Sequence, residues 1–175
     1  MANRLKQFYR ALTAKVDDQD LVFVKSRLND SEISLFLQMS TIDQKHCINV
    51  AHSAEALTKV RKLDVPLLIR AALLHDCGRK NGDLGLLGKS FAVLFDKTIG
   101  YQRFIKLDAM RRSKLCSWLH QLLEVYYRHP ERGAAALASI QSSEQLIIIV
   151  LSHHQPATAT DCPELKLLKQ ADALN

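Results

Sequence analysis

Apolar residues recur at three- and four-residue intervals along most of the chain, and no Asn-Gly or Asp-Gly turn is flanked by alternating runs, so the pattern predicts an all-α fold. Breaks near Asp17-Asp18 and Asn29-Asp30 divide the first forty residues into short helices, the second break supplying an N-cap for a helix over Ser31 to Met39. Residues 1–40 read as a helical extension packed on a main domain at 41–175. Thr41 and Gln44 form a capping-box pattern that opens a long helix, whose apolar stripe runs Cys47, Val50, Ala51, Ala54, Leu57 with His46 at its border. Val65 to Asp76, started by Pro66, is apolar on nearly every side and predicts a buried central helix ending in His75-Asp76.

Four of the six glycines (Gly78, Gly82, Gly85 and Gly88) follow, so that stretch reads as a loop rather than regular helix. Helical periodicity resumes near Met110. Its stripe Leu115, Leu119, Leu122, Tyr126 continues to His129, where Pro130 predicts a break and a separate short helix over Glu131 to Ala138. Ser142-Ser143-Glu144 resembles a helix start. The run Leu146 to Leu151 after it has strand propensity, but a lone strand has no pairing partner, so it is assigned as helix. Pro156 ends it past His153-His154, and a last helix from about Pro163 places Leu165, Leu168 and Asp172 on one face.

Composition narrows the class without naming a chemistry. With 175 residues, 47% hydrophobic and 24% charged, the chain fits one compact soluble helical domain. The longest apolar run is too short for a bilayer and Met1 to Lys6 lacks a secretory core, so the expectation is a cytoplasmic protein with no membrane partner. An excess of 24 basic over 18 acidic residues gives a net charge of +6, which suits a nucleotide, a nucleic acid, a lipid surface or simply a solvated exterior. Cys47, Cys77, Cys116 and Cys162 contain no Cys-x-x-Cys pair, so they read as small buried hydrophobes rather than a zinc knuckle or disulfide framework.

The chemistry lies in five of the seven histidines and two aspartates: His46, His75, Asp76, His129, His153, His154 and Asp172. All fall on or at the ends of helices whose apolar faces meet in one core, where an unpartnered carboxylate or imidazole loses several kcal/mol of hydration. A divalent transition metal is the partner that suits all seven, and mixed nitrogen and oxygen donors fit Mn, Fe, Co, Ni or Zn. Neighbours on a helix diverge by roughly 100°, so His75-Asp76 and His153-His154 each face two sides of one site or serve two ions. Each residue also has an ordinary reading. His129 alone is a core histidine, His153-His154 a helix end answering the macrodipole, and Asp172 a partner for an arginine. His52 and His120 carry no assigned role.

The order His46, His75-Asp76, Asp172 resembles the HD-domain superfamily of metal-dependent phosphohydrolases over residues about 41 to 175. The pieces that carry it are His46-Cys47-Ile48-Asn49-Val50-Ala51, Ala71-Ala72-Leu73-Leu74-His75-Asp76-Cys77-Gly78-Arg79 and Gln170-Ala171-Asp172-Ala173-Leu174-Asn175. In addition, His129-Pro130-Glu131-Arg132-Gly133 and Ser152-His153-His154-Gln155 resemble the extra histidine motifs of the HD-GYP branch. That branch's Gly-Tyr-Pro segment is replaced here by Gln155 to Pro163, so specificity for cyclic di-GMP is not implied. The resemblance implies one ion on His46, His75, Asp76 and Asp172 and another on Asp76, His129, His153 and His154, with Asp76 bridging. The acid that family members with a third ion carry one turn before the first histidine corresponds to Ile42, next to Asp43, which implies two ions.

By the same resemblance the chain hydrolyses a small phosphorylated substrate such as a nucleotide, as a phosphodiesterase or phosphatase, through a metal-activated hydroxide. Asp76 and Arg79 would be catalytic, Arg79 standing with Lys80 where the family has a lysine. Lys89, Arg103 and Lys106 are further candidates for holding the substrate's charge. The rivals are a non-catalytic HD-type signalling or ligand-sensing module and, third, a nucleic-acid-binding helical protein. The last lacks an aromatic stacking platform, and its basic residues are dispersed.

Overall fold

The computed structural model describes residues 15–58, 63–83 and 114–175, with side chains from 121 onward in the last stretch. Met110, Gly85, Gly88, Lys89, Arg103 and Lys106, and the side chains of Leu115, Cys116, Leu119 and His120, lie outside the described residues. Among those described there are seven helices and no strand: α1 (Asp18–Arg27), α2 (Asp30–Leu37), α3 (Thr41–Leu57), α4 (Val65–Leu74), α5 (Lys114–Ser139), α6 (Glu144–Ser152) and α7 (Pro163–Leu174). The all-α expectation holds. No helix among the described residues is long and apolar enough to cross a membrane.

The centre is α4. Leu67, Leu68, Ile69, Ala71, Ala72, Leu73 and Leu74 are all buried, covering every side of the helix, and α1, α2, α3, α6 and α7 all pack against it. Its start is fixed by chemistry legible in the chain: the Asp64 carboxylate accepts from the Leu67 N–H at 3.0 Å, and Pro66 occupies the first turn, where no backbone donor is needed. The Asp64 N–H donates to Glu164 Oε1 at 3.0 Å, tying the head of α4 to the head of α7.

Val24, Leu28, Phe36 and Met39 from the N-terminal segment join the same apolar cluster as Ile48, Leu68, Ile149 and Leu168. At roughly 1.5–3 kcal/mol for each large side chain removed from water, these four anchor α1 and α2 more firmly than any surface ion pair would. Glu32 adds a polar tie. It is fully buried, closes a capping box with Asn29 and accepts from Arg70 on α4 at 2.5 Å. α6 confirms helix over strand: Leu146, Ile149 and Val150 point inward while Ile148 and Leu151 are exposed, a spacing of three and four rather than two.

Four local expectations need correction. α2 begins at Asp30 with Asn29 as its cap, so Asp30 lies inside the first turn. α3 is capped by Ser40, whose Oγ accepts from the Asp43 N–H at 3.2 Å, rather than by Thr41 and Gln44. Gln44 instead donates to the Met39 carbonyl at 2.9 Å, a bond that closes the turn before the helix. α4 ends at Leu74, leaving His75 as its C-cap and Asp76 in the turn beyond. Finally, Pro130 does not divide α5, which runs unbroken through it.

Candidate metal centre

Two helix ends and two helix interiors deliver these four histidines. His75 and His153 are the C-cap residues of α4 and α6, His46 lies on α3, and His129 stands in the middle of α5. Three of these rings share one device. His75 Nδ1 lies 2.8 Å from the Ala72 carbonyl, His129 Nδ1 2.7 Å from that of Tyr126, and His153 Nδ1 2.6 Å from that of Val150. A carbonyl only accepts, so each Nδ1 is the protonated nitrogen and each Nε2 of the neutral ring carries a lone pair.

Those lone pairs converge on Asp76. Its Oδ1 is 3.2 Å from His129 Nε2 and 3.9 Å from His153 Nε2, and the two Nε2 atoms are 3.3 Å apart. Oδ1 is buried and accepts no hydrogen bond among the described residues. An arrangement of acceptors facing acceptors is repulsive unless a cation lies among them. Two ligands about 2.1 Å from one ion at 90–110° would themselves be about 3.0–3.4 Å apart, which matches the Asp76 Oδ1–His129 Nε2 and His129–His153 Nε2 separations. The donor set therefore fits a divalent transition metal.

Two groups of donors meet at Asp76. One is Asp76 with His129, His153 and His154, and the other is Asp76 with His46 and His75; within each, one donor atom per residue lies within 4.8 Å of all the others. Asp172 borders the second group. Its Oδ1 is 3.0 Å from His46 Nε2 and 3.9 Å from His75 Nε2, so its partner is a histidine and not an arginine. All seven residues singled out in the sequence come together, although His154 keeps part of its surface open to solvent and Asp172 is half-buried.

The two groups differ in protonation. For His129, burial and then the nearby Arg79 guanidinium push the pKa down. Burial and neighbouring imidazoles push His153 well below the ordinary range and His154 down to about 4. In the other group burial also opposes charge on His46, but the hydrogen bond to Asp172 and the charges of Asp76 and Asp172 together outweigh it and raise the pKa. Burial would raise the pKa of Asp172 as well, yet its bond to His46 holds the carboxyl far below the usual range. Burial is the largest influence on Asp76 and would raise its pKa, but the Arg79 guanidinium together with His75 and His129 outweighs it and holds the carboxyl well below the usual range.

Arg79 is closer to these donors than the sequence suggested. Its Nη1 donates to Asp76 Oδ2 at 2.6 Å, and its Nη2 lies 3.1 Å from His129 Nε2. Asp43, buried on the first turn of α3, stands 3.9 Å from Nη1 and accepts from the Ser40 hydroxyl. The turn before His46 thus does present an acid, from three residues back rather than from the Ile42 position, since offsets of three and four share a helix face. Lys80 is exposed, and its backbone N–H donates to Asp83 Oδ2 at 2.9 Å.

Gly78 was legible only as a loop glycine. Its structural demand is sharper: a Cβ there would run into the His129 carbonyl oxygen and lie 2.7 Å from the Gly133 nitrogen. The missing side chain lets the turn that carries Asp76 press against α5. Cys47 and Cys77 are buried beside the centre; burial drives the Cys47 thiol pKa well up and that of Cys77 to about 12, so both behave as inert packing groups.

Comparison with known proteins agrees with this geometry. A family model for the HD domain matches residues 44–175, and the chain belongs to that family. The HD domain is a metal-dependent phosphohydrolase superfamily, so a divalent metal is the expected occupant of these donors. No curated protein and no solved structure matches the chain.

Proposed function

We propose that the protein is a divalent-metal-dependent phosphoester hydrolase, with His46, His75, Asp76 and Asp172 holding one ion, His129, His153, His154 and Asp76 holding a second, and a small phosphorylated molecule such as a nucleotide as substrate. The observation that carries this reading is the convergence of unprotonated Nε2 atoms on the uncompensated Asp76 Oδ1. Bound ions, Fe or Mn by donor type, would supply a water acidified to hydroxide near neutral pH and neutralise phosphate oxygens. The chain's own groups do the rest. Asp76 bridges the two donor sets, the Ala72, Tyr126 and Val150 carbonyls keep three rings in the lone-pair tautomer, and the buried apolar shell excludes competing water. Arg79, bonded to Asp76 Oδ2, aligns that bridge and offers a cation to a substrate oxygen.

A second reading has one observation behind it. The Arg79 guanidinium already places a positive charge against Asp76 and His129, which suits a non-catalytic HD-type module that binds a ligand without turnover. Hydrolysis assays with generic phosphomonoesters and phosphodiesters, with Mn(II) or Fe(II) added to metal-stripped protein, separate the two. The hydrolase reading expects metal-dependent turnover that disappears in Asp76→Ala. Full activity in that variant, or binding of nucleotides without turnover under any metal, contradicts it.

A further inference from the structure

His75 and His153 lie at helix ends, and the carbonyls that hold their Nδ1–H groups belong to the last turns of α4 and α6, where no further helical N–H is due. His129 has no such end nearby, because α5 continues to Ser139. In a regular helix the carbonyl of residue 126 would accept the N–H of residue 130. Residue 130 is proline, which has no N–H, and the Tyr126 carbonyl accepts from the His129 ring at 2.7 Å. We propose that Pro130 is a positioning residue of this centre: by bringing no backbone N–H to the Tyr126 carbonyl, it reserves that acceptor for His129 Nδ1 and fixes the tautomer that turns Nε2 toward Asp76 as a lone-pair donor.

The inference goes beyond the metal-site reading and, in its consequence for metal affinity, rests on it. Proline is the most costly residue in a helix interior, so its place beside a ring that needs a backbone acceptor trades helix stability for ring orientation. A carbonyl has two lone pairs, so a restored N–H would compete with the ring rather than displace it outright. Loss of an outer partner to a ligating histidine weakens metal binding by about 10–100-fold, and competition places this case near the lower end, about tenfold.

The test compares wild type with Pro130→Ala and Pro130→Gly, both of which restore the N–H while differing from each other in helix propensity. Nitrogen-15 spectra of the His129 ring in metal-free protein at about pH 8, well above its lowered pKa, read its tautomer directly. Both variants are expected to show His129 as a mixture of tautomers, with His75 and His153 unchanged as internal references. Mn(II) affinity by calorimetry is expected to fall about tenfold in both, although Pro130→Ala melts at a higher temperature than wild type. A single unchanged His129 tautomer in both variants overturns the proposal, as does an unchanged Mn(II) affinity alongside a shifted tautomer. Failure of wild type to bind Mn(II) at all counts instead against the metal-site reading, since the ring spectra are taken without metal.

Discussion

The two donor groups that share Asp76 are built from the same residue types and behave differently. Around His129, His153 and His154, burial and mutual proximity push the imidazole pKa values down, so this side is kept free of protons and rich in lone pairs. Around His46, the Asp172 carboxylate at 3.0 Å raises the pKa of the ring. The difference comes from what each ring faces: one side has imidazoles and a guanidinium, the other two carboxylates. One aspartate thus stands between a nitrogen-rich side whose rings resist protonation and a carboxylate-flanked side whose His46 ring takes a proton more readily.

The largest test of that contrast short of removing a donor is Gly78→Ala. The new methyl would collide with the backbone of His129 and Gly133, forcing the Asp76 turn away from α5. The expected cost is about 3 kcal/mol of stability, at the upper end for overpacking because backbone cannot yield as a side chain does. Chemical denaturation checks it. The imidazole-rich side should lose metal affinity while His46 and Asp172, carried by α3 and α7, keep their 3.0 Å bond. An undiminished fold would show that this close approach is not needed.

A smaller effect follows from protonation. His129, His153 and His154 have folded pKa values below the ordinary 6.5, so as pH falls below that value the unfolded chain takes up protons that the folded chain refuses. Stability of metal-free protein should therefore decline between about pH 6.5 and the His154 value of about 4. His46 acts in the opposite sense: with its folded pKa raised, its contribution is present below 6.5 and is lost as pH rises through the folded value. Urea midpoints should show the decline between about pH 6.5 and 4 reduced in His154→Gln, whereas His46→Gln should leave that slope unchanged and remove the gain in stability that wild type shows as pH falls toward 6.5 from above. A flat profile in wild type would contradict the protonation contrast.

Much of this centre was legible because its histidines and aspartates are residues that a helical core excludes unless they have partners. His46, His75, Asp76, His129, His153, His154 and Asp172 stood out on that ground, and all seven meet. The helices were legible from their periodicity, including α6, where tertiary packing overrides strand propensity. What escaped depends on the backbone. Pro130 signals a break by every local rule, yet α5 passes through it. Ser40 and Thr41 are both good caps, and only the burial of Asp43 three residues after Ser40 decides between them. The Arg79 contact with His129 joins positions fifty residues apart, and no spacing rule reaches that far.

The most direct measurement is the transition-metal content of purified wild-type protein, His46→Ala and His153→Ala after loading with Mn(II) or Fe(II) and removal of excess. Because each substitution strips a donor from one side of Asp76 only, two equivalents are expected in wild type and one in each variant. Equal content in all three proteins, or none in the wild type, would contradict the account.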